Sequence, residues 1–560
     1  MSKLQGLQKA PGSAAHGGGV RGDNSVTRSS TFEGRFGRIF RSLPPASWSP
    51  DALVALGKAM TAEPERDDQN PDLPAAEPET SAHLQDDEEN AGISAGYTYL
   101  GQFIDHDITF DPASSLQQQN DPNGLVDFRT PRLDLDSLYG RGPGDQPYMY
   151  VGNKFRLGRA LLENTKQTKV RDLPRFDDPF NPGAKRALIG DKRNDENVIV
   201  SQLHAAMLQL HNKLVEQHPT LPFEEIQRQV RWHYQWIVVN DFLPKICGKQ
   251  TVQSILPGLG LHSPIWQHEP KFALYHYREE PFMPIEFAAA AFRFGHSMVR
   301  PIYRLNTELQ GGDDRERATA DEKRRGLDGR FFVFAGVQQR GLNGFDEFPK
   351  EWAINWSLFF DIKGSGAKGG KERAQPAYKL DTSLTNPLGF LPEFSQPVSG
   401  GPPLTVSKLQ AVQADPTNPS NLAVRNLLRG MSMGLPSGQD IALALGIKPI
   451  EDKNLRIGKA VLKDWPNSPT LVSLDASFAG KAPLWYYVLA EAQYEWVQRA
   501  TEDPAKDATP LHLGTIGGRI VAETLIGLLW GDGHSYLRQA PNWQPSGIRH
   551  MGDLLAFALS

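Results

Sequence analysis

Among its 560 residues the chain has one cysteine, Cys247. An intrachain disulfide, a thiolate zinc site and a cysteine-held iron–sulfur cluster are therefore excluded. Any metal has to be held by histidine, carboxylates, carbonyl oxygens or a macrocycle. The chain also lacks an excess of positive charge: 60 Lys and Arg stand against 65 Asp and Glu, a net charge of −5. That argues against a basic face for nucleic acid. No apolar run approaches the ~18–20 residues that span a bilayer. The opening MSKLQGLQKAPGSAAHGGG has no apolar stretch of the secretory kind, so a cytoplasmic place or leaderless export is expected. Strand-like alternation is scarce and no period of 20–50 residues recurs. No heptad pattern persists, and a monomer is expected.

What the chain does have is apolar content of 39% with 27 Phe and 11 Trp, enough for a large core. Helical periodicity dominates from about residue 95, most clearly over 97–107, 195–217, 223–245, 284–299, 421–430, 483–501 and 515–530. Residues 1–30 are Gly- and Ser-rich and read as a disordered tail. Residues 61–91 are acidic and proline-dotted, and between these two stretches Ser49 and Pro50 open a short helix. The polar breaks at 305–328 and 363–378 read as surface insertions. The expected architecture is mainly α: a disordered tail (1–30), an extension wrapping the core (31–94) and one large helical catalytic domain (95–560) with little sheet.

Four segments could carry chemistry. In GYTYLGQFIDHDITFDP (96–112), a helix would put Gln102, Asp105 and His106 on one face and turn Asp107 about 100° away. Taken alone, His106 is better explained by a core histidine held neutral by hydrogen bonds. In DFRTPRLDLDSLYG (127–140), Thr130, Arg132, Asp134 and Asp136 alternate with period two and would share one side of an extended segment. A hydroxyl, a carbonyl and carboxylates there, with Asp107, suit a hard cation such as Ca2+; a solvated acidic loop is the plainer reading. In 189–218, Arg193 and Glu196 lie one turn apart at the opening of an amphipathic helix whose His204 and His211 read as packing residues. In IEFAAAAFRFGHSMVRPIYRL (285–305), an Ala-rich helix bears Arg293 and His296 and ends before Pro301. Its alanines would let something bulky approach.

Together these segments resemble the animal-type haem peroxidase family, within the wider peroxidase–cyclooxygenase superfamily. The resemblance rests on G-Q-F-I-D-H-D (101–107), T-x-R-x-D-x-D-x-x-Y-G (130–140), G-D-x-R-x-x-E (190–196), H-x-x-x-x-x-x-H-N-x-L (204–214) and F-R-F-G-H (292–296), five motifs in the family's order. It covers about 95–535, with only scattered similarity after 310. It implies a mainly α-helical fold and a haem b cofactor. It makes His106 the distal histidine, Gln102 its neighbour at the peroxide site and Arg193 the distal arginine. His296 becomes the proximal iron ligand, its ring N–H held by Asn426, with Arg293 beside the haem. Asp105 and Glu196 match the carboxylates that form ester bonds to haem methyls. Asp107, Thr130, Arg132 through its carbonyl, Asp134 and Asp136 match a calcium set.

The implied reaction is reduction of hydrogen peroxide through a ferryl intermediate, followed by oxidation of a halide, thiocyanate or a phenol. The partners are thus peroxide and small anionic or aromatic donors. Asn197 follows Glu196 where one branch of the family carries a haem-bonded methionine, so that sulfonium link is ruled out. Met431-Ser432-Met433 replaces the usual Arg-Asp-His before Gly434-Leu435-Pro436. The lone cysteine removes the disulfides of secreted members and points to a bacterial-type member. Two rivals share the fold: a fatty-acid haem dioxygenase, whose tyrosine three residues before the proximal His is Arg293 here, and a calcium-stabilised binding protein with a degenerate haem site. A non-haem metalloenzyme is disfavoured because no H-E-x-x-H occurs.

Overall fold

Ser49 does open a helix. Its side-chain oxygen accepts from the Ala52 amide and Pro50 takes the first helical position, where a missing N–H costs nothing. The structure is a computed structural model. It describes residues 34–62, 88–110, 126–127, 129–163, 166–177, 179, 185–257, 269–277, 280–309, 330–334, 341–362, 372–391, 419–502 and 510–560. The tail 1–30, most of the acidic stretch 61–91 and most of the insertions at 305–328 and 363–378 lie outside these residues.

The elements that place the site are β1 (Gly34–Gly37), α1 (Pro50–Ala59), β2 (Glu89–Ser94), α2 (Gly96–Ile108), α3 (Val198–Gln217), α4 (Phe223–Ile237), β3 (Met283–Pro284), β4 (Pro376–Tyr378), α5 (Leu422–Ser432), α6 (Leu484–Glu502) and α7 (Thr515–Gly531). The fold is mainly α, as expected, and its strands are short. β1 runs parallel to β3, with Phe36 opposite Met283, and β4 pairs antiparallel with β2. The larger helices form the core. α7 is buried nearly all round, which suits its composition TIGGRIVAETLIGLLWG. α2 packs on α3, and α6 and α7 back the segment that carries His296.

Two expected helices differ in detail. The run 223–245 is helical to Ile246 but passes through a π-helical turn at Val238–Phe242. Pro244 has no N–H to return to Asn240, so the ladder re-registers just before it. The Ala-rich run 284–299 is not one helix. It has a single turn, Ile285–Ala288, and then a 3-10 stretch, Ala291–His296, with Ala290 outside the helical region at φ −138 and ψ −74. Arg293 Nε donates to the Ala288 carbonyl, 3.0 Å away, taking an acceptor that a continuous helix would use. Likewise, 130–135 is an irregular loop rather than a strand, ending at Leu135 in the left-handed region (φ +57).

Candidate active site

A cavity of about 590 Å³ lies between α2 and the 3-10 stretch Ala291–His296. From α2 it is lined by Tyr99, Gln102 and His106, three and four residues apart, together with Tyr97 and Asp105. The opposite wall brings Phe292, Arg293, Gly295 and His296. A Cβ on Gly295 would meet open space. Glu196 forms part of the rim and accepts from Gln102 Nε2. The rest of the mouth is Phe334, Phe345, Leu388, Leu391 and Leu422. Phe345 belongs to a segment fastened to the Glu196 turn: Gly344 N donates to Glu196 O at 2.9 Å and Phe345 N to Asp195 O at 2.6 Å. A Cβ at Gly344 would collide with the Asp195 carbonyl, so glycine permits the approach.

Both cavity histidines are held neutral. Burial, assisted by the Arg193 charge, pushes His106 down to about 3. Burial and the Arg293 charge push His296 to about 3 as well. His106 Nδ1 lies 2.8 Å from Asn194 Oδ1, and its Nε2 is 3.9 Å from Glu196 Oε1. His296 Nδ1 lies 2.8 Å from Asn426 Nδ2, while Asn426 Oδ1 accepts from Arg293 Nη1 at 2.9 Å. Here the amide therefore donates to His296; it does not accept the ring N–H that the resemblance implies. Burial lowers Arg293 to about 10 and raises the Asp105 carboxyl above its ordinary value.

Arg193 is placed differently from expectation: it is not among the residues lining the cavity. Its guanidinium pairs with Asp191 at 2.7 Å and donates to the carbonyls of His106 (3.0 Å) and Thr109 (2.6 Å). Burial opposes ionisation of Asp191, but the Arg193 and Arg129 cations outweigh it and hold the carboxyl far below its usual range. The pull of Asp191, which also caps the 3-10 turn Lys192–Asp195, is the physical reason for Arg193's direction.

Asp107 points off the cavity face, as the helical period requires, and joins Asp134 and Asp136 with ligand oxygens all within 4.8 Å of one another. Burial first, then the Asp134 and Asp136 charges, raises Asp107 well above the usual carboxylate range. Three carboxylates so close, two of them buried, repel unless a cation joins them. Thr130 Oγ1 donates to Asp134 at 2.8 Å. Arg132 lies in the same loop, its N donating to Thr130 O at 2.7 Å and its guanidinium 3.4 Å from Asp532. Gly190 lets the 190–196 turn abut the Ser137 carbonyl, tying the acidic loop to Arg193.

Sequence reasoning missed Asn194, Asp191, Tyr97 and Tyr99. Tyr99 could have been found from α2 periodicity, three residues before Gln102; nothing local signals that Asn194 meets two histidines.

The animal haem peroxidase family model matches residues 113–328. That stretch contains 130–136, Arg193, Glu196 and His296 but neither α2 nor Asn426. A peroxidase-like protein of Margaritifera margaritifera is 28% identical over 264 residues, 37% of this chain and 32% of that protein. Thyroid peroxidase of Rattus norvegicus is 27% identical over 228 residues, 37% of this chain and 22% of that protein. The matches thus span a third or less of these relatives' own length. Among solved structures, peroxidase A of Dictyostelium discoideum is 14% identical, with 91% of this chain and 90% of that one covered at a TM-score of 0.48.

Proposed function

We propose that the chain is an animal-type haem peroxidase, and that it reduces hydrogen peroxide at the cavity between His106 and His296 and oxidises halides, thiocyanate or phenolic donors there. The observation that carries the reading is a pair of neutral imidazoles, His106 buried and His296 half-buried, lining one cavity with aromatic neighbours. The lining suits haem b: Gly295 leaves open space beside His296, Asp105 and Glu196 line the same cavity as candidates for ester links, and His296 Nε2 would be free for iron with the Asn426 amide turned over to accept the Nδ1 proton. Bound there, haem supplies the redox chemistry that the protein's side chains lack.

The chain's own residues handle protons and position. His106 takes the proton of the arriving peroxide at Nε2, because burial keeps its ring neutral near pH 7, and returns it to the leaving oxygen. Gln102, whose Nε2 donates to Glu196, orients the peroxide. Arg193 acts through the backbone, holding the His106 and Thr109 carbonyls and so the end of α2. His296 would hold the iron, its ring fixed by the Arg293–Asn426 pair. Asp107, Asp134 and Asp136 would hold Ca2+, with Thr130 and the Arg132 carbonyl as further ligands, and would so fix α2 from the other side.

The fatty-acid dioxygenase reading retains one favourable observation, the cavity-lining Tyr97 and Tyr99. An absorption spectrum before and milliseconds after adding hydrogen peroxide tests the proposal. A Soret band that changes with peroxide and recovers on adding iodide or a phenol supports it. A band indifferent to peroxide, with oxygen uptake on adding a fatty acid, would establish the dioxygenase instead. No Soret band after haem-supplemented expression removes both.

A further inference from the structure

Asn194 is completely buried and sits between two imidazoles. Its Oδ1 lies 2.8 Å from His106 Nδ1 and its Nδ2 3.0 Å from His204 Nδ1. The rings come from different helices, α2 and α3, and the amide comes from the 3-10 turn that precedes α3. One end of an amide accepts and the other donates, so the two hydrogen bonds cannot be set independently.

With Oδ1 toward His106, that ring carries its proton on Nδ1, and Nε2 is a bare lone pair. The same orientation makes His204 Nδ1 the acceptor, so the proton of neutral His204 sits on Nε2, which is buried without a hydrogen-bond partner. Turning the amide over would exchange both tautomers at once. His106 would then bring an Nε2–H to the cavity, with its nearest carboxylate, Glu196, at 3.9 Å. Such a nitrogen cannot take up a proton.

We propose that Asn194 is a positioning residue that locks His106 in the tautomer with a bare Nε2, and that His204 secures the far end of the amide. Only the use made of that lone pair, accepting the peroxide proton, rests on the peroxidase reading; the tautomer does not. Asn194 thereby couples a histidine on the cavity to one outside it. His204, which reads from the sequence as packing alone, becomes the anchor of the arrangement.

Nitrogen-15 spectra of histidine-labelled full-length protein test this, taken in the diamagnetic ferrous carbonyl form where haem is bound. His106 is expected as the Nδ1–H tautomer and His204 as Nε2–H. Asn194→Asp, which accepts on both sides, should leave His106 unchanged and convert His204 to Nδ1–H. Asn194→Leu should release His106 to a tautomer mixture and slow the reaction with hydrogen peroxide by about 10²-fold or more, while Asn194→Asp stays within several-fold of the native rate. A native His106 in the Nε2–H form would overturn the proposal, as would a His204 indifferent to Asn194→Asp. The latter result stands even if the leucine variant does not fold. If native protein ignores peroxide, the peroxidase reading falls while the spectra still decide the tautomers.

Discussion

Arg193 reaches His106 through the peptide backbone: its Nη2 donates to the His106 carbonyl at 3.0 Å and to Thr109 O at 2.6 Å. A cation that the motif associates with the peroxide here clamps the last turn of α2. Arg193→Ala should therefore lower stability as well as slow turnover, because Asp191 keeps Arg129 as its one paired cation and two carbonyls lose a donor. The expected cost is about 1–3 kcal/mol, read from the urea midpoint. Arg193→Lys, a point charge without the planar fork, should recover only part of it. A variant with native stability and only a slower peroxide reaction would return Arg193 to a direct role.

His106→Leu should keep haem bound and slow the peroxide reaction by roughly 10²–10⁴-fold, the scale of a lost acid–base group. Stopped-flow traces at the Soret wavelength make the comparison, and unchanged traces would remove His106 from the proposed chemistry.

On the opposite wall, His296→Ala should abolish stable haem incorporation. Asn426→Leu should keep haem but shift its reduction potential, since the ring loses its partner. Haem content and a potentiometric titration read the two effects. A normal Soret band in His296→Ala would end the assignment.

Chelation should lower the melting temperature if Ca2+ occupies the Asp107 cluster. At a hundredfold excess over its dissociation constant a bound ion contributes about 2.7 kcal/mol. Asp107→Asn should abolish the response to chelator, with metal analysis showing that the ion has left the native protein. A chelator effect that survives in the variant places the ion elsewhere.

The pH dependence has two limbs. Burial holds His204 and His211 neutral, pushed down to about 3 and about 4. Both fall below their unfolded values, so the stability they give is present above about pH 6.5 and is lost as pH falls through those values. Glu491 goes the other way: burial, then the Glu495 charge, raises it to about 8. Its contribution is complete below about pH 4.3 and is lost as pH rises through 8. Urea midpoints across pH 4–9 should show both losses. Glu491→Gln should flatten the alkaline limb alone.

The helices were legible in the sequence wherever the apolar period ran unbroken, as in α2, α3, α6 and α7. The stretch before His296 was not, because four alanines specify helix equally well at every step and the break is made by a side chain just beyond them: Arg293 turns back to Ala288 while also donating to Asn426, 133 residues away. The residues around the cavity were readable as motifs, and the face of α2 followed from geometry alone. The direction of Arg193 was not, since it is decided by Asp191, a residue whose charge matters only once Arg129 arrives from another loop. The mouth was hidden for the same reason: Phe334, Phe345 and Leu391 meet only through long-range packing.

The fully buried carboxylate of Glu286 accepts from the backbone amides of Ile39 and Phe40, 3.2 Å each, just beyond the parallel pairing of β1 with β3. The wall that carries His296 is thus moored to a segment some 250 residues earlier in the chain. A shortened protein beginning at residue 95 would strand that carboxylate inside the fold without its donors. For anyone engineering the chain, the segment around Ile39 and Phe40 is scaffolding for the far side of the cavity, and its removal is a mutation of that wall.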